Sequence, residues 1–407
     1  MKEHYYLDNA ATTMPKPESV YLFMDEFFRK FGVNPGRSSY ELAMEAEVMI
    51  EETRRMLSQF FGYKGNPSRV TFSMNATDSM NTALLGILQP EDHVVTTRLE
   101  HNAVLRPLNH LERDKKIRVT RVESDPNGYI DPSDIKRNIH KKTRAVVINH
   151  ASNVLGSLQD IAAIGEIVRE TDAILIVDSC QTAGVIPIEM DTCGIDVLVF
   201  TGHKGLFGPS GIGGMIVAED IDVKPTRTGG TGINSLAPFH PNDYPQRLEA
   251  GTISIPGIAG IHAAQKWFAN LAESEKTVSA TSHENACRAS VNHIHAKELK
   301  HVGELLDSFN NMPEVTIYGP NSIQQPRVST LSINVGNLPA DRVGEMLDAD
   351  YRICVRSGLH CAPIVHQDQN TIQKNGMVRL APGFFTNDED IFHAIESIRE
   401  IIESNIT

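Results

Sequence analysis

The chain has 407 residues, 41% hydrophobic and 22% charged, which fits a soluble globular protein with core enough for two or three structural units. A formal net charge of −13 argues against nucleic acid or an anionic membrane as the main partner. No apolar run approaches the roughly 18 to 20 residues of a membrane span, and the first nine residues hold no signal-peptide core, so a cytoplasmic protein is expected.

In chain order, Leu42, Ala46, Met49, Thr53, Met56 and Phe60 recur at helical spacing. Short apolar runs follow at 69–73, 93–97, 145–149, 174–178, 197–200 and 213–217. They lack polar alternation, which predicts strands covered on both faces. A further helical pattern lies at 160–171. Strands alternating with helices predict an α/β fold with a mostly parallel sheet. Past Gly251 the spacing predicts a helix from 258 to about 276, another over 281–310, strands at 315–318, 328–335 and 354–356, and a last helix near 388–403. This divides the chain into a large domain at 21–263 and a smaller α+β domain at 264–407, with residues 1–20 packing near the smaller one. The Pro/Gly-rich stretch 224–257 is too long for an ordinary connection and is expected to border a site or a subunit contact.

Ligands of such sheets gather beyond the carboxyl ends of the strands, where Asp178 and Lys204 fall. Lys204 leaves a buried run through Phe200-Thr201-Gly202-His203, a position suited to holding an aldehyde cofactor as a Schiff base. Asp178 ends another apolar run, with Gln181 three residues on, and suits a pyridinium nitrogen. Cys361 lies in Arg356-Ser357-Gly358-Leu359-His360-Cys361, a basic, glycine-containing context. Lysine, carboxylate and thiol together suggest pyridoxal phosphate chemistry on a sulfur substrate. The five cysteines, at 180, 193, 287, 354 and 361, form an odd set without Cys-x-x-Cys, and neither a disulfide framework nor a zinc ribbon is favoured. The glycines at 205–214 match no nucleotide-loop pattern, and Cys354, His360, Cys361 and His366 match no common metal spacing.

Leu7-Asp8-Asn9-Ala10-Ala11-Thr12-Thr13, Glu100-His101-Asn102, Ser152-Asn153, Asp178 with Gln181, Thr201-Gly202-His203-Lys204, Gly251-Thr252 and 356–363 occur in that order over essentially the whole chain. Together they resemble the class V aminotransferase superfamily, and within it the cysteine desulfurases. The short segment after Cys361 resembles the group holding SufS-type desulfurases and selenocysteine lyases. The resemblance implies the fold type I of pyridoxal-phosphate-dependent transferases, with a seven-stranded sheet in the large domain. It implies pyridoxal 5′-phosphate as cofactor and a homodimer as the assembly.

Residue by residue, Lys204 would hold the cofactor and then act as acid and base, and Asp178 would keep the ring nitrogen protonated. His101 would stack on the ring, and Gln181 and Asn153 would lie near its phenolic oxygen. Ala76 and Thr77 at a helix start, with Thr201 and His203, would bind the phosphate, and Thr252 would reach the partner subunit's phosphate. Arg379 would clamp the substrate carboxylate, with Asn153 and Arg356 also at the substrate. Cys361 would take sulfur from L-cysteine as a persulfide, leaving alanine. An ordinary thiol has to be made more acidic for this, and Arg356, His360 and the cofactor's field are expected to do so. The sulfur then passes to an acceptor protein or thiol. Two other readings stand beside this one: a selenocysteine lyase or another lyase or transaminase of the fold, and a sulfur-relay platform active only with a partner. The chain departs from its relatives at Tyr40, where histidine is frequent, at Cys180, where a small residue is usual, and at Ile253-Ser254-Ile255, where Pro-Asn-Thr is common.

Overall fold

The computed structural model describes residues 4–35, 40–233, 235–274 and 282–405. Tyr5–Tyr6 form β1, which pairs in parallel with a two-residue strand at Ile353–Cys354. Two helices follow, α1 (Glu18–Phe31) and α2 (Glu41–Phe60). The main sheet is built from β2 (Val70–Ser73), β3 (His93–Thr97), β4 (Arg118–Val122), β5 (Thr143–Asn149), β6 (Ile174–Asp178), β7 (Val197–Thr201) and β8 (Gly213–Val217). Their order is β2-β8-β7-β6-β5-β3-β4. The pairs from β7 through β6, β5 and β3 to β4 are parallel, and β8 runs antiparallel to both β7 and β2. The expected α/β fold with a mostly parallel seven-stranded sheet is therefore present.

Consecutive residues of β6 divide between two cores. Leu175 and Val177 pack on one face with Val146, Ile148, Leu198 and Phe200, and Ile174 and Ile176 on the other with Ala145, Val147, Val197 and Val199. A two-residue side-chain period in an unbroken apolar run requires that both faces be covered. Between strands run α3 (Ala76–Ile87) and α4 (Asn102–Asp114).

A second sheet holds Arg356–Gly358, Met377–Leu380, Leu331–Val335 and Val315–Tyr318 in that order, all antiparallel. Its core joins Leu331, Ile333, Val378 and Leu380 to Ile391, Ile398 and the N-terminal Tyr5 and Leu7.

Several boundaries differ from the sequence reading. The strand expected at 328–335 begins at Leu331, because Val328 and Thr330 spend their backbone groups elsewhere: the Val328 N–H donates to the Gly156 carbonyl and Arg327 to the Thr330 carbonyl. The strand expected at 354–356 is two, Ile353–Cys354 beside β1 and Arg356–Gly358 beside Met377–Leu380. The expected 258–276 helix runs Ile255–Ser274, and Lys276 lies outside the described residues. The expected 281–310 helix runs His283–Phe309, and Thr281 lies outside them. Strand β4, helix α1 and the Ala340–Tyr351 helix are not predicted from the sequence.

Candidate active site

The carboxyl ends of β2, β3, β5, β6 and β7 open on one cavity of about 220 Å³. At the end of β2, Asn75 caps α3, its Oδ1 accepting from the Asp78 N–H at 3.0 Å. Ala76 and Thr77, the first residues of that helix, line the cavity, and helix N-termini favour anions. Strand β8 reaches this turn because residue 213 is glycine: a Cβ there would stand 2.8 Å from the Asn75 carbonyl carbon. Thr201 and His203 also line the cavity, and Thr201 Oγ1 and His203 Nδ1 are buried without a hydrogen-bond partner. Two orphaned polar atoms beside a helix start are what a phosphate would satisfy.

After β3, His101 caps α4, its Nδ1 accepting from the Ala103 N–H at 3.0 Å. Burial lowers the pKa of the ring, and an accepting Nδ1 leaves the proton of the neutral imidazole on Nε2. Before it, Glu100 is enclosed, and burial pushes its carboxyl up to about 8 despite donors from Thr97 and the Asn149 backbone. At the end of β6, Asp178 accepts at Oδ1 from the Cys180 N–H at 2.9 Å. Burial and then the Asp178 charge push the Cys180 thiol well up, so it stays protonated.

Lys204 follows β7 in a turn held by the N-terminal segment. The hydroxyl of Thr13 donates to the Lys204 carbonyl at 3.0 Å, and Thr12 and Lys16 donate to that of His203 at 3.0 and 2.7 Å. Burial lowers the Lys204 pKa, which favours the neutral, nucleophilic amine.

The small sheet closes the other side. Arg379 is 1% exposed and points into the cavity from the Met377–Leu380 strand. Its Nη2 donates to Asp8 Oδ1 at 2.7 Å and its Nη1 to the Asn153 carbonyl at 2.9 Å, while Nε is buried without a partner. Arg356 lines the cavity and donates from Nη2 to Cys361 Sγ at 3.5 Å. His360 and Cys361 are both left-handed, at φ 48° and 58°. That strained pair is pinned by the Asn102 N–H on the Cys361 carbonyl, 2.7 Å, and the Asn153 amide on that of His360, 2.6 Å.

The structure thus brings Lys204, Asp178, His101, Gln181, Asn153, Ala76, Thr77, Thr201, His203, Arg356 and Arg379 around one cavity, with Cys361 against Arg356 at its edge. Two details differ from the sequence reading. Gln181 donates its amide to the Ala10 carbonyl at 3.1 Å, so its Nε2 is already engaged. His360 supplies no positive charge to Cys361: burial, and then Arg379, push its pKa well below the ordinary value, leaving Arg356 as the cation beside Sγ. Thr252, expected at a partner subunit's phosphate rather than here, lines a separate cavity with Gly230, Arg54 and Glu249. Asn75, Asn149 and Asp8 are site residues that the sequence reading does not assign. For Asn75 the signal was there, an asparagine between a strand and a helix start.

The family described as aminotransferase class V matches residues 5–289 and 284–393. A probable cysteine desulfurase of Methanothermobacter thermautotrophicus is 29% identical over 98% of this chain and 95% of its own. The cysteine desulfurase IscS of Dictyoglomus turgidum is 28% identical over 99% of this chain and 95% of its own. Among solved structures, the apo cysteine desulfurase of Thermococcus onnurineus superposes with a TM-score of 0.88 at 29% identity, covering 99% of this chain and 95% of that one. The chain belongs to the class V aminotransferase family.

Proposed function

We propose that the protein is a pyridoxal-phosphate-dependent cysteine desulfurase, converting L-cysteine to L-alanine and passing the sulfur through a persulfide on Cys361 to an acceptor protein or thiol. The observation that carries the reading is the assembly of Lys204, Asp178 and His101 with the two guanidinium groups of Arg356 and Arg379 around one cavity, and of Cys361 3.5 Å from Arg356.

The residues fit the cofactor. Ala76, Thr77, Thr201 and His203 would hold the phosphate, Asp178 the ring nitrogen, His101 the ring face and Lys204 the aldehyde carbon. When bound, the cofactor supplies an electron sink that makes the substrate's α-proton acidic. Lys204, whose burial favours the free amine, takes that proton and later returns one to carbon. Asn153, Arg356 and Arg379 orient the substrate through its carboxylate. Cys361, its Sγ 3.5 Å from the Arg356 guanidinium, forms an S–S bond to the substrate sulfur as the Cβ–S bond breaks. The electron pair of the broken bond stays on Cβ, which is protonated to become the methyl group of alanine.

A homodimer in which Thr252 reaches the partner's phosphate belongs to the same reading. It is supported by the exposure of Thr252 and by Leu236 and Phe239, 101% and 85% exposed on the same stretch. A reducing, cytoplasmic setting agrees with five unpaired cysteines. Among the described residues, no helix is long and apolar enough to cross a membrane. The test is reconstitution with pyridoxal phosphate. Wild type should show a visible Schiff-base band and turn over L-cysteine, whereas Lys204→Ala should bind the cofactor without that band and lose about 10²- to 10⁴-fold in rate. An unchanged band in the variant would sink the assignment of Lys204.

A further inference from the structure

We infer that Asp8 is a specificity-determining positioning residue: by pairing with Arg379 it matches the cavity to an amino acid with one carboxylate and an uncharged side chain. The inference deepens the proposed function and rests on its assignment of Arg379 to the substrate.

Two guanidinium groups, Arg356 and Arg379, line the cavity. Arg379 is almost completely enclosed, and Asp8 Oδ1 already holds its Nη2 at 2.7 Å, as a substrate carboxylate would. The Asn153 carbonyl takes Nη1 at 2.9 Å, so the orientation of the fork is fixed before substrate arrives. Asp8 itself cannot leave easily. Its backbone bridges in parallel to Ala381, the Ala381 N–H donates to the Leu7 carbonyl at 2.7 Å, and the Tyr6 hydroxyl donates to the carbonyls of Asp8 and Thr12.

The remaining charges decide what binds. Asp8 cancels one of the two guanidinium charges, leaving one positive charge for the ligand's α-carboxylate. A second anionic group on the ligand would find the Arg379 charge already matched by Asp8. Discrimination against acidic side chains then comes from positive charge that Asp8 has already matched and withdrawn from the ligand.

The test compares affinities of L-alanine and L-aspartate for the cofactor-loaded enzyme by calorimetry, in wild type, Asp8→Asn and Asp8→Glu. Wild type should prefer L-alanine. Asp8→Asn should shift the ratio of the two dissociation constants toward L-aspartate by about tenfold, and Asp8→Glu, which keeps the charge, should stay near the wild-type ratio. If Asp8→Asn does not fold, Asp8→Ser removes the charge while leaving Arg379 an acceptor and reads the same ratio. A ratio unmoved by loss of the charge, with both affinities weakened together, overturns the inference and makes Asp8 a structural anchor. Failure of the underlying reading looks different: wild type would then bind neither amino acid and would not turn over L-cysteine.

Discussion

At the residue scale the site is a set of groups whose charge is set by burial. Lys204 is pushed toward the amine, His101 and His360 toward neutral imidazole, and Cys180 toward the thiol. The guanidinium groups of Arg356 and Arg379 line the cavity, so the proposed carboxylate anchor can be tested alone. Arg379→Ala should raise KM for L-cysteine about 10- to 100-fold, the worth of a hydrogen-bonded charge, with a smaller effect on kcat. Steady-state kinetics decide it, and an unchanged KM would remove Arg379 from the substrate. Lys204 and Asp178 were legible in the sequence because each ends an apolar run whose direction the fold fixes. The pairing of Asp8 with Arg379 was not, because its partners stand 371 residues apart and meet only when β1 docks beside the small sheet. His360 was readable as a neighbour of Cys361, but its charge state depends on enclosure that no spacing reveals.

At the element scale, what the sequence disclosed follows what each strand buries. Strands β3, β6, β7 and β8 are buried at every residue, and β6, β7 and β8 read as near-continuous apolar runs. Strand β4 lies at the sheet edge with Arg118 exposed and Arg121 half-buried, so its apolar signal is diluted by charge. One connection is held by an ion pair that pattern reading cannot see. Arg54, on α2, is 2% exposed and binds both oxygens of Glu249, 6% exposed, at 2.7 and 2.8 Å, and Glu249 also accepts from the Phe72 N–H at 2.6 Å. This ties α2 and β2 to the turn that leads into Gly251-Thr252. Glu249→Gln leaves the buried Arg54 with the half-exposed Glu51, 3.0 Å from its Nε, as its remaining carboxylate, so it should cost about 1.5 to 3 kcal/mol in urea unfolding. A loss below about 1 kcal/mol would mean that the pair is solvated and does not anchor the turn.

At the scale of the whole molecule, buried titratable groups set how stability varies with pH. His93, His150, His262 and His366 are each pushed down to about 4 by burial, so between there and about 6.5 the unfolded chain holds more protons and stability rises with pH. Glu100 and Glu298 are pushed up to about 8, so from about 4.5 to 8 the folded chain holds more protons and stability falls as pH rises. With His203 also pushed down to about 4 and Asp196 pushed up to about 6 by burial, five histidines outweigh three carboxyls below about 6.5, and between about 6.5 and 8 the two glutamates dominate. The Tm should therefore peak near pH 6.5 and fall on both sides. Glu298→Gln should flatten the alkaline side and steepen the rise between about pH 4.5 and 6.5, as followed by thermal unfolding across pH. A Tm still climbing from pH 7 to 8 would show that these two carboxyls are not held protonated.

The central claim is that sulfur leaves the substrate through Cys361. The direct measurement is release of alanine and sulfide from L-cysteine with dithiothreitol, comparing wild type with Cys361→Ala while recording the visible spectrum. Wild type should turn over, and the variant should bind L-cysteine, shift the cofactor band and stall. Equal sulfide release from both would contradict it and make the protein a direct lyase in which Cys361 takes no part.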